Sequence, residues 1–380
     1  MDASDAVTGA ARVRVLGPTR PEPDAAATAA PITTADRAFR LPPVAVTVGL
    51  AILAVVALSS AMTGAAGLPV GGVMSSLMDR VPGLSIDSSL SERQEAILFQ
   101  IRLPRLVLGM LVGGSLGMAG ATYQGVFRNP LADPYLLGVS AGAGFGAVLA
   151  FGFGLDLGWG PIGAVPAAAF VGSVVAVTAS AAIARGSWSS PGTLLLGGVA
   201  MAALFSAAQT LALQRLDQNR SREVLSWLFG QLNTAGWHQI GILGPYVALC
   251  GLILVLHRRH LDVLRVGDDE ATAVGLDPAR TRLLMIATAS LLTAAAVSVS
   301  GLIAFVGLVV PHLVRLLVSH SYRVIVPLSA VAGAAFLAFV DIGARTLIAP
   351  AELPVGVITA LVGAPFFAVV LWRGAGGEAR

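Results

Sequence analysis

The chain has 380 residues, 56% of them hydrophobic and only 12% charged, with a formal net charge of +3. So little polar surface cannot cover a water-soluble globule, and so small a charge leaves no footprint for nucleic acid. All 24 basic residues are arginine, which excludes a Walker-A phosphate loop, because that loop needs a lysine on the phosphates.

Residues 1–41 are polar and rich in Ala, Pro, Thr and Arg, the composition of a disordered tail. The stretch is too long and too proline-broken for the head of a signal peptide, so the first apolar run is expected to stay in the membrane. Apolar runs of about 18 or more residues then recur, the length that crosses a hydrocarbon core of roughly 30 Å. They are continuous rather than alternating, which excludes a barrel. The helices are predicted near 43–63, 106–126, 136–153, 162–183, 192–213, 239–256, 283–299, 301–318, 325–343 and 355–372. The seventh and eighth come from one apolar block; at 1.5 Å per residue its length would be about 54 Å, nearly twice the membrane. A tight reversal at "SVSG", 298–301, is expected to split it. The fold class is therefore all-α: a polytopic membrane protein of about ten spans over 42–373, with short cytoplasmic tails at 1–41 and 374–380.

Arginine placement orients the chain. With the N-terminus inside, 16 arginines fall on the inner side and 8 on the outer, the bias of cytoplasmic segments. The tail lies partly beyond the reach of that rule, and the loops alone give 11 to 8. The expected location is the cell membrane, with both ends cytoplasmic.

The inner turn after the second helix reads "RNPLADPYLLGVSAGAG", 128–144. Pro130 and Pro134 block helix continuation, while Asn129 and Asp133 can bond the local backbone. Gly138, Ser140, Gly142, Gly144 and Gly146 follow and permit close approach of another helix.

The longest inner loop holds "VGDDEATAVGLDPAR", 266–280. Asp268, Asp269 and Glu270 suit the start of a helix, where carboxylates cap free N–H groups and oppose the dipole. Gly275 suits the position after its end, and Pro278 prevents continuation. A helix of about two turns follows, with a small-residue face of Ala271, Ala273 and Val274, too short to be stable unless something packs on it.

Cys250 and His312 read as packing residues: His312 has no second histidine or cysteine at ligand spacing, and no metal site is expected. The predicted helix centres carry no Asp, Glu or Arg, with Asp341 near an outer end. That absence disfavours an ion-coupled secondary transporter, which buries such groups midway as relays. A purely structural membrane anchor would leave the glycine runs and the capped inner helix without a purpose.

Four motifs stand in order: "RLPR" at 102–105, "GATYQGVFRNPLADPYLLGVSAGAGFGAVLA" at 120–150, "GLIAFVGLVVPHLVRLL" at 301–317 and "PAELPVGVITALVGAPFF" at 350–367. Together they closely resemble the FecCD-type permeases, the membrane subunits of ATP-binding-cassette importers for ferric siderophores, haem and cobalamin. The resemblance covers roughly 45–373 and departs at "SWLFGQLNTAGW", 226–237, where the family more often has a glycine-serine pair in place of Gly230 and Gln231. It implies a ten-helix, BtuC-like subunit that catalyses no reaction and binds no cofactor. A second permease subunit, identical or paralogous, would complete the pathway. Two cytoplasmic ATPase subunits would bind ATP and Mg, and a substrate-binding protein would dock outside. Ferric siderophore is the expected cargo, with cobalamin and haem as alternatives.

The resemblance also assigns residues. It places the ATPase-coupling helix at Asp268, Asp269, Glu270, Ala271, Ala273, Val274, Gly275 and Leu276. Asn129, Leu131, Ser189 and Ser190 correspond to the cytoplasmic gate. "LLLGGVAMAA" at 194–203, with Gly197 and Gly198, either lines the conduit or serves close helix packing. Arg102 and Arg105 before the second helix, and Arg345 after the ninth, sit outside against the general bias. They read as docking residues for the binding protein, since a guanidinium takes a carboxylate bidentately.

Overall fold

The computed structural model describes residues 41–64, 67–81, 87–154, 163–184 and 191–375. The predicted N-terminal tail up to residue 40, the C-terminal tail from 376 on, and Ser189 and Ser190 lie outside the described residues. Among the described residues the secondary structure is helical, without a strand. Seven helices are long and apolar enough to cross a membrane: Pro43–Met62, Glu92–Val126, Ala164–Ile183, Gly192–Leu213, Trp237–Val266, Pro278–Ser300 and Tyr322–Thr346. Three shorter apolar helices, Val139–Phe153, Val306–Leu317 and Val355–Val370, occupy the other predicted positions.

Helix α1 spans Pro43–Met62 and α2 spans Val70–Asp79. Helix α3, Glu92–Ala96, starts on a capping box in which Ser91 and Gln94 satisfy each other's backbone N–H. It passes through a π-helical turn, Ile97–Arg102, straight into α4, Leu103–Val126. The second predicted helix thus begins well before residue 106, and Arg102 and Arg105 lie within it rather than ahead of it.

Helix α4 is the axis of the bundle. A helix apolar on all sides has no face for water, and 20 of its 24 residues are buried. Small residues make this possible. A Cβ on Gly113 would stand 2.2 Å from the Gly333 carbonyl oxygen, and one on Gly120 only 1.8 Å from that of Gly307. Its neighbours therefore approach backbone to backbone.

A turn and a 3-10 helix, Pro134–Leu137, lead into α5, Val139–Phe153, which packs on α6, Ala164–Ile183. Gly142 and Gly146 meet the carbonyls of Gly172 and Ala168 there, the close approach that the glycine spacing anticipates. Helix α7, Pro191–Leu213, is followed by α8, Gln218–Leu228, an amphipathic helix capped by Asp217 that apolar run lengths alone do not reveal. Helix α9, Trp237–Val266, runs ten residues past its predicted end at 256. Next come α10, Asp268–Ala273, α11, Pro278–Ser300, α12, Val306–Leu317, α13, Tyr322–Thr346, and α14, Val355–Ala375. Arg345 lies in the last turn of α13, not beyond it.

The expected tight reversal at 298–301 takes another form. Helix α11 continues through Ser300, and residues 301–304 are non-helical, ending at Phe305 in the left-handed region with φ +68°. The 12 residues of α12 reach about 18 Å, short of a full crossing. Non-helical backbone inside a bundle needs partners. The Tyr135 hydroxyl donates to the Ile303 carbonyl at 2.9 Å and accepts from its N–H at 3.2 Å, while Gln231 N–H donates to the Ser300 carbonyl at 2.8 Å.

Candidate coupling and pathway sites

The end of the bundle expected to face inward gathers residues from four elements. Arg128 follows α4 with a left-handed backbone, φ +51°. Its Nε donates to the Leu264 carbonyl in the last turn of α9 at 2.6 Å, and Nη2 pairs with Asp268 of α10. Arg282 of α11, 1% exposed, grips the same carboxylate through Nη1 at 2.8 Å. The hydrogen bond from Arg282, and then the charges of Arg282 and Arg128, hold the Asp268 carboxyl below the usual carboxylate range. Asp268, Asp269 and Glu270 stand in the first turn of α10 as expected, but no side-chain cap bond forms there, and Asp268 serves as a junction instead.

The rest of the loop follows the sequence reading more closely. Gly275 is left-handed, φ +84°, and Leu276 N–H donates to the Ala271 carbonyl at 2.9 Å, closing the helix. Of the expected small-residue face, only Ala271 is buried; Ala273 and Val274 face outward, Val274 with 71% of its surface exposed. Asp269 and Glu270 are exposed as well.

The turn beyond Arg128 holds itself together. Asn129 Oδ1 accepts from Leu131 N–H at 2.9 Å, and Asp133 Oδ1 accepts from Tyr135 N–H at 2.8 Å. Leu131 is exposed at its tip. Burial pushes the Asp133 carboxyl up to about 6. Asn129 and Leu131 therefore share one cluster with Asp268, joined through Arg128, a residue the sequence reading left without a role.

Gly197 and Gly198 both sit in close helix packing. A Cβ on Gly197 would lie 2.7 Å from the Ser180 carbonyl, and one on Gly198 2.2 Å from that of Leu136. Both face the bundle, so the exposed wall of α7 is made by Leu196, Val199 and Leu204 instead. A separate apolar cleft of about 430 Å³ opens where α8, the 301–304 connector and α14 meet, lined by Leu228, Phe229, Leu302, Ala304, Gly356 and Leu361 among others. Close approach makes it: a Cβ on Gly356 would stand 2.3 Å from the Phe229 carbonyl and 2.6 Å from that of Leu302. No local sequence signal marks this wall, because its three parts are far apart in the chain. Among the described residues no cluster of three His, Cys, Asp or Glu could hold a metal ion.

At the outer end the three expected docking arginines are turned inward. Arg102 donates to the Ala61 and Met62 carbonyls, both at 2.8 Å, covering the open end of α1. Arg345 donates to the Thr63 carbonyl at 2.8 Å and Ser60 Oγ at 2.7 Å, and pairs with Asp341 at 3.0 Å. Arg105 binds Asp341 through Nε at 2.9 Å and Glu352 through Nη1 at 2.8 Å. Arg102, Arg105 and Asp341 are buried. The cause is simple: each guanidinium finds acceptors within the chain, and apart from the i, i+4 pair of Arg345 with Asp341 those acceptors lie far away in sequence. Arg105 also borders a surface pocket, about 80 Å³ in volume, shared with Ser226, Gln231, Asn233 and Glu352.

Comparison with known proteins supports a specific lineage. The model of the FecCD transport family matches residues 52–373. The cobalamin import system permease protein BtuC of Halobacterium salinarum is 44% identical over 74% of this chain and 74% of its own length. The hemin transport system permease protein HmuU of Yersinia pestis is 36% identical over 76% of this chain and 86% of its own. Among solved structures, a chain from an inward-facing ABC transporter assigned to the metal-chelate type superposes with a TM-score of 0.76 at 31% identity, covering 87% of this chain and all of that one.

Proposed function

The chain belongs to the FecCD transport family, and on that premise we propose that it is the membrane-spanning permease subunit of an ABC importer for a metal chelate. It is a multi-pass membrane protein and, by family, a transport subunit rather than an enzyme. ATP and Mg belong to a partner ATPase. Ten crossings, with both termini cytoplasmic, accommodate the seven long and three shorter apolar helices and the inward bias of arginine.

The observation that carries the transport reading is the apolar cleft beside the 301–304 connector. It offers a wall without charges or strong ligands, along which a bulky chelate slides without being stripped of its metal. A second permease subunit, identical or paralogous, would close the other side. The exposed Ala273 and Val274 of α10 supply the seat for the ATPase. The solvent-facing pocket beside Arg105 is where the binding protein would touch this chain, with Arg102 and Arg345 holding the surface behind it. Asn129 and Leu131, with Ser189 and Ser190, form the inner gate.

Ferric siderophore, cobalamin and haem all fit the class; the 44% identical relative named for cobalamin makes that chelate the first to assay. The test is uptake into proteoliposomes holding the full chain, its ATPase and its binding protein, with each chelate supplied in turn. ATP-dependent accumulation of one chelate is expected. Accumulation driven equally well by an ion gradient without ATP would sink the proposal.

A further inference from the structure

Arg128 is one of two non-glycine residues among those described with a left-handed backbone. A residue with a Cβ stays in that region only where contacts hold it there. Here the contacts are the Leu264 carbonyl at 2.6 Å and the Asp268 carboxylate. The final carbonyls of a helix have no partner within it, so one side chain both caps α9 and grips α10. From the other side Arg282, almost fully buried, ties Asp268 to α11. The two arms differ: the Arg282 arm is anchored in the bundle, whereas Arg128 is 34% and Asp268 36% exposed.

Helix α10 has six residues, too few to hold its own shape. Its position is set by what grips it, namely Asp268 and the buried Ala271. On the far side of Arg128 the chain enters a turn stiffened by its own bonds, Leu131 N–H to Asn129 Oδ1 at 2.9 Å and Ala132 N–H to the Asn129 carbonyl at 3.0 Å. The α10 carboxylate and the exposed tip at Leu131 are thus joined by one ion pair and one hydrogen-bonded turn.

We propose that Asp268 and Arg128 form a latch that carries movement of α10 to the 129–131 turn, so that Asp268 is a positioning residue for the inner gate. This rests on the reading of α10 as the seat of the ATPase. A short, charge-assisted bond suits the task, because it is directional and can part and re-form where water reaches it. When the ATPase shifts α10, the Arg282 arm acts as the pivot. The Arg128 arm pulls the turn with it.

The test uses the full chain with its ATPase and binding protein in proteoliposomes, supplied with the chelate that accumulates in the uptake assay, and Leu131→Cys in a Cys250→Ala background as a reporter of gate exposure. Arg128→Gln is the informative variant, because it removes the gate arm and leaves Asp268 on Arg282; co-purification with the ATPase checks its assembly. Transport per ATP hydrolysed is expected to fall about tenfold, the size of an ordinary coupling between sites. Labelling of the reporter by a water-soluble thiol reagent should lose its dependence on nucleotide. Asp268→Asn should do the same, and Asp268→Glu, which keeps the carboxylate, should restore part of both. Wild-type transport per ATP with nucleotide-dependent labelling in Arg128→Gln overturns the latch. Ala273→Arg, run alongside, separates the two readings. If it uncouples while Arg128→Gln does not, only the latch has failed; if it too behaves as wild type, α10 is not the ATPase seat.

Discussion

Two clusters of arginine and aspartate stand at opposite ends of the bundle, built from the same chemistry and solvated differently. At the outer end Asp341 lies between Arg105 and Arg345, with side-chain exposures of 2%, 9% and 8%. At the inner end Asp268 lies between Arg282, equally buried, and Arg128, both the aspartate and Arg128 being about one-third exposed. A buried ion pair is costly to break because the surviving charge has no solvent to turn to. A half-solvated pair is weak, and water replaces it readily. The outer cluster therefore works as a staple, fixing the ends of α1, α4 and α13 as one body. The inner cluster works as a joint.

The largest expected effect tests the staple. Asp341→Ala leaves two buried arginines facing each other without their shared carboxylate, a change worth about 3–5 kcal/mol. Thermal unfolding in detergent should show a large drop in midpoint or a failure to recover folded protein. A midpoint at the wild-type value would mean that Arg105 and Arg345 are satisfied without Asp341.

The matching change at the joint should cost far less. Arg128→Gln leaves Asp268 paired with the buried Arg282, and solvent screens the loss at the exposed arm, so about 1 kcal/mol of stability is expected to go. Midpoints of the two variants measured side by side give the comparison directly. A loss in Arg128→Gln as large as that in Asp341→Ala would make the inner cluster a second staple and remove the reason to regard it as mobile.

This contrast explains what could be read from residues alone. The membrane helices follow from apolar run lengths, and the inner turn from Pro130 and Pro134, because both signals are local. The joint was half legible: "GDDEATAVG" announces a short helix closed by Gly275, but Asp268 looks like a cap until Arg128 and Arg282 are seen beside it. The staple is hidden in its long-range half: Asp341 and Arg345 stand one helical turn apart, but Arg105 and Asp341 are 236 residues apart. Arg102 and Arg105, placed at the surface by topology, are in fact spent on partners that no window of sequence contains. The connector at 301–304 was misplaced for the same reason. "GLIAFVG" is apolar enough for helix, and the helix is broken by Tyr135 and by the backbones around Gly230 and Gly356.

A smaller effect, in pH, separates two carboxylates at the inner end. Asp268 has a depressed folded-state pKa, so its stabilisation is present above the unfolded value of about 3.9 and fades only as pH falls through the lower folded value. Asp133 is the reverse, raised by burial to about 6. It binds its proton more tightly folded than unfolded, so stability falls as pH rises from the ordinary carboxylate value to about 6, and levels off above that. Wild-type protein should melt at a higher temperature at about pH 5 than at about pH 7.5, with that difference reduced in Asp133→Asn and unchanged in Asp268→Asn. Equal pH dependence in wild type and Asp133→Asn would place the titration elsewhere.

The smallest effect is expected at the edge of the staple, where it meets solvent. Glu352 is 42% exposed and takes only the Nη1 edge of Arg105, which keeps Asp341 as its buried partner. Glu352→Gln should thus change stability by less than about 1 kcal/mol. Its consequence for docking has a definite sign. Arg105 reaches the solvent-facing pocket that also holds Ser226, Gln231 and Asn233. If a carboxylate of the binding protein enters there, Glu352 competes with it for the Nη1 edge and repels it as well. Neutralising Glu352 should then speed association of the binding protein at low salt, and the gain should shrink as salt shortens the Debye length towards about 8 Å. Association rates measured by surface capture of the full permease complex at low and moderate salt decide between the two uses of Arg105. An unchanged rate at both, with the stability of the wild type, would leave Arg102, Arg105 and Arg345 entirely to the fold, and the binding protein would have to be held by another part of the outer face.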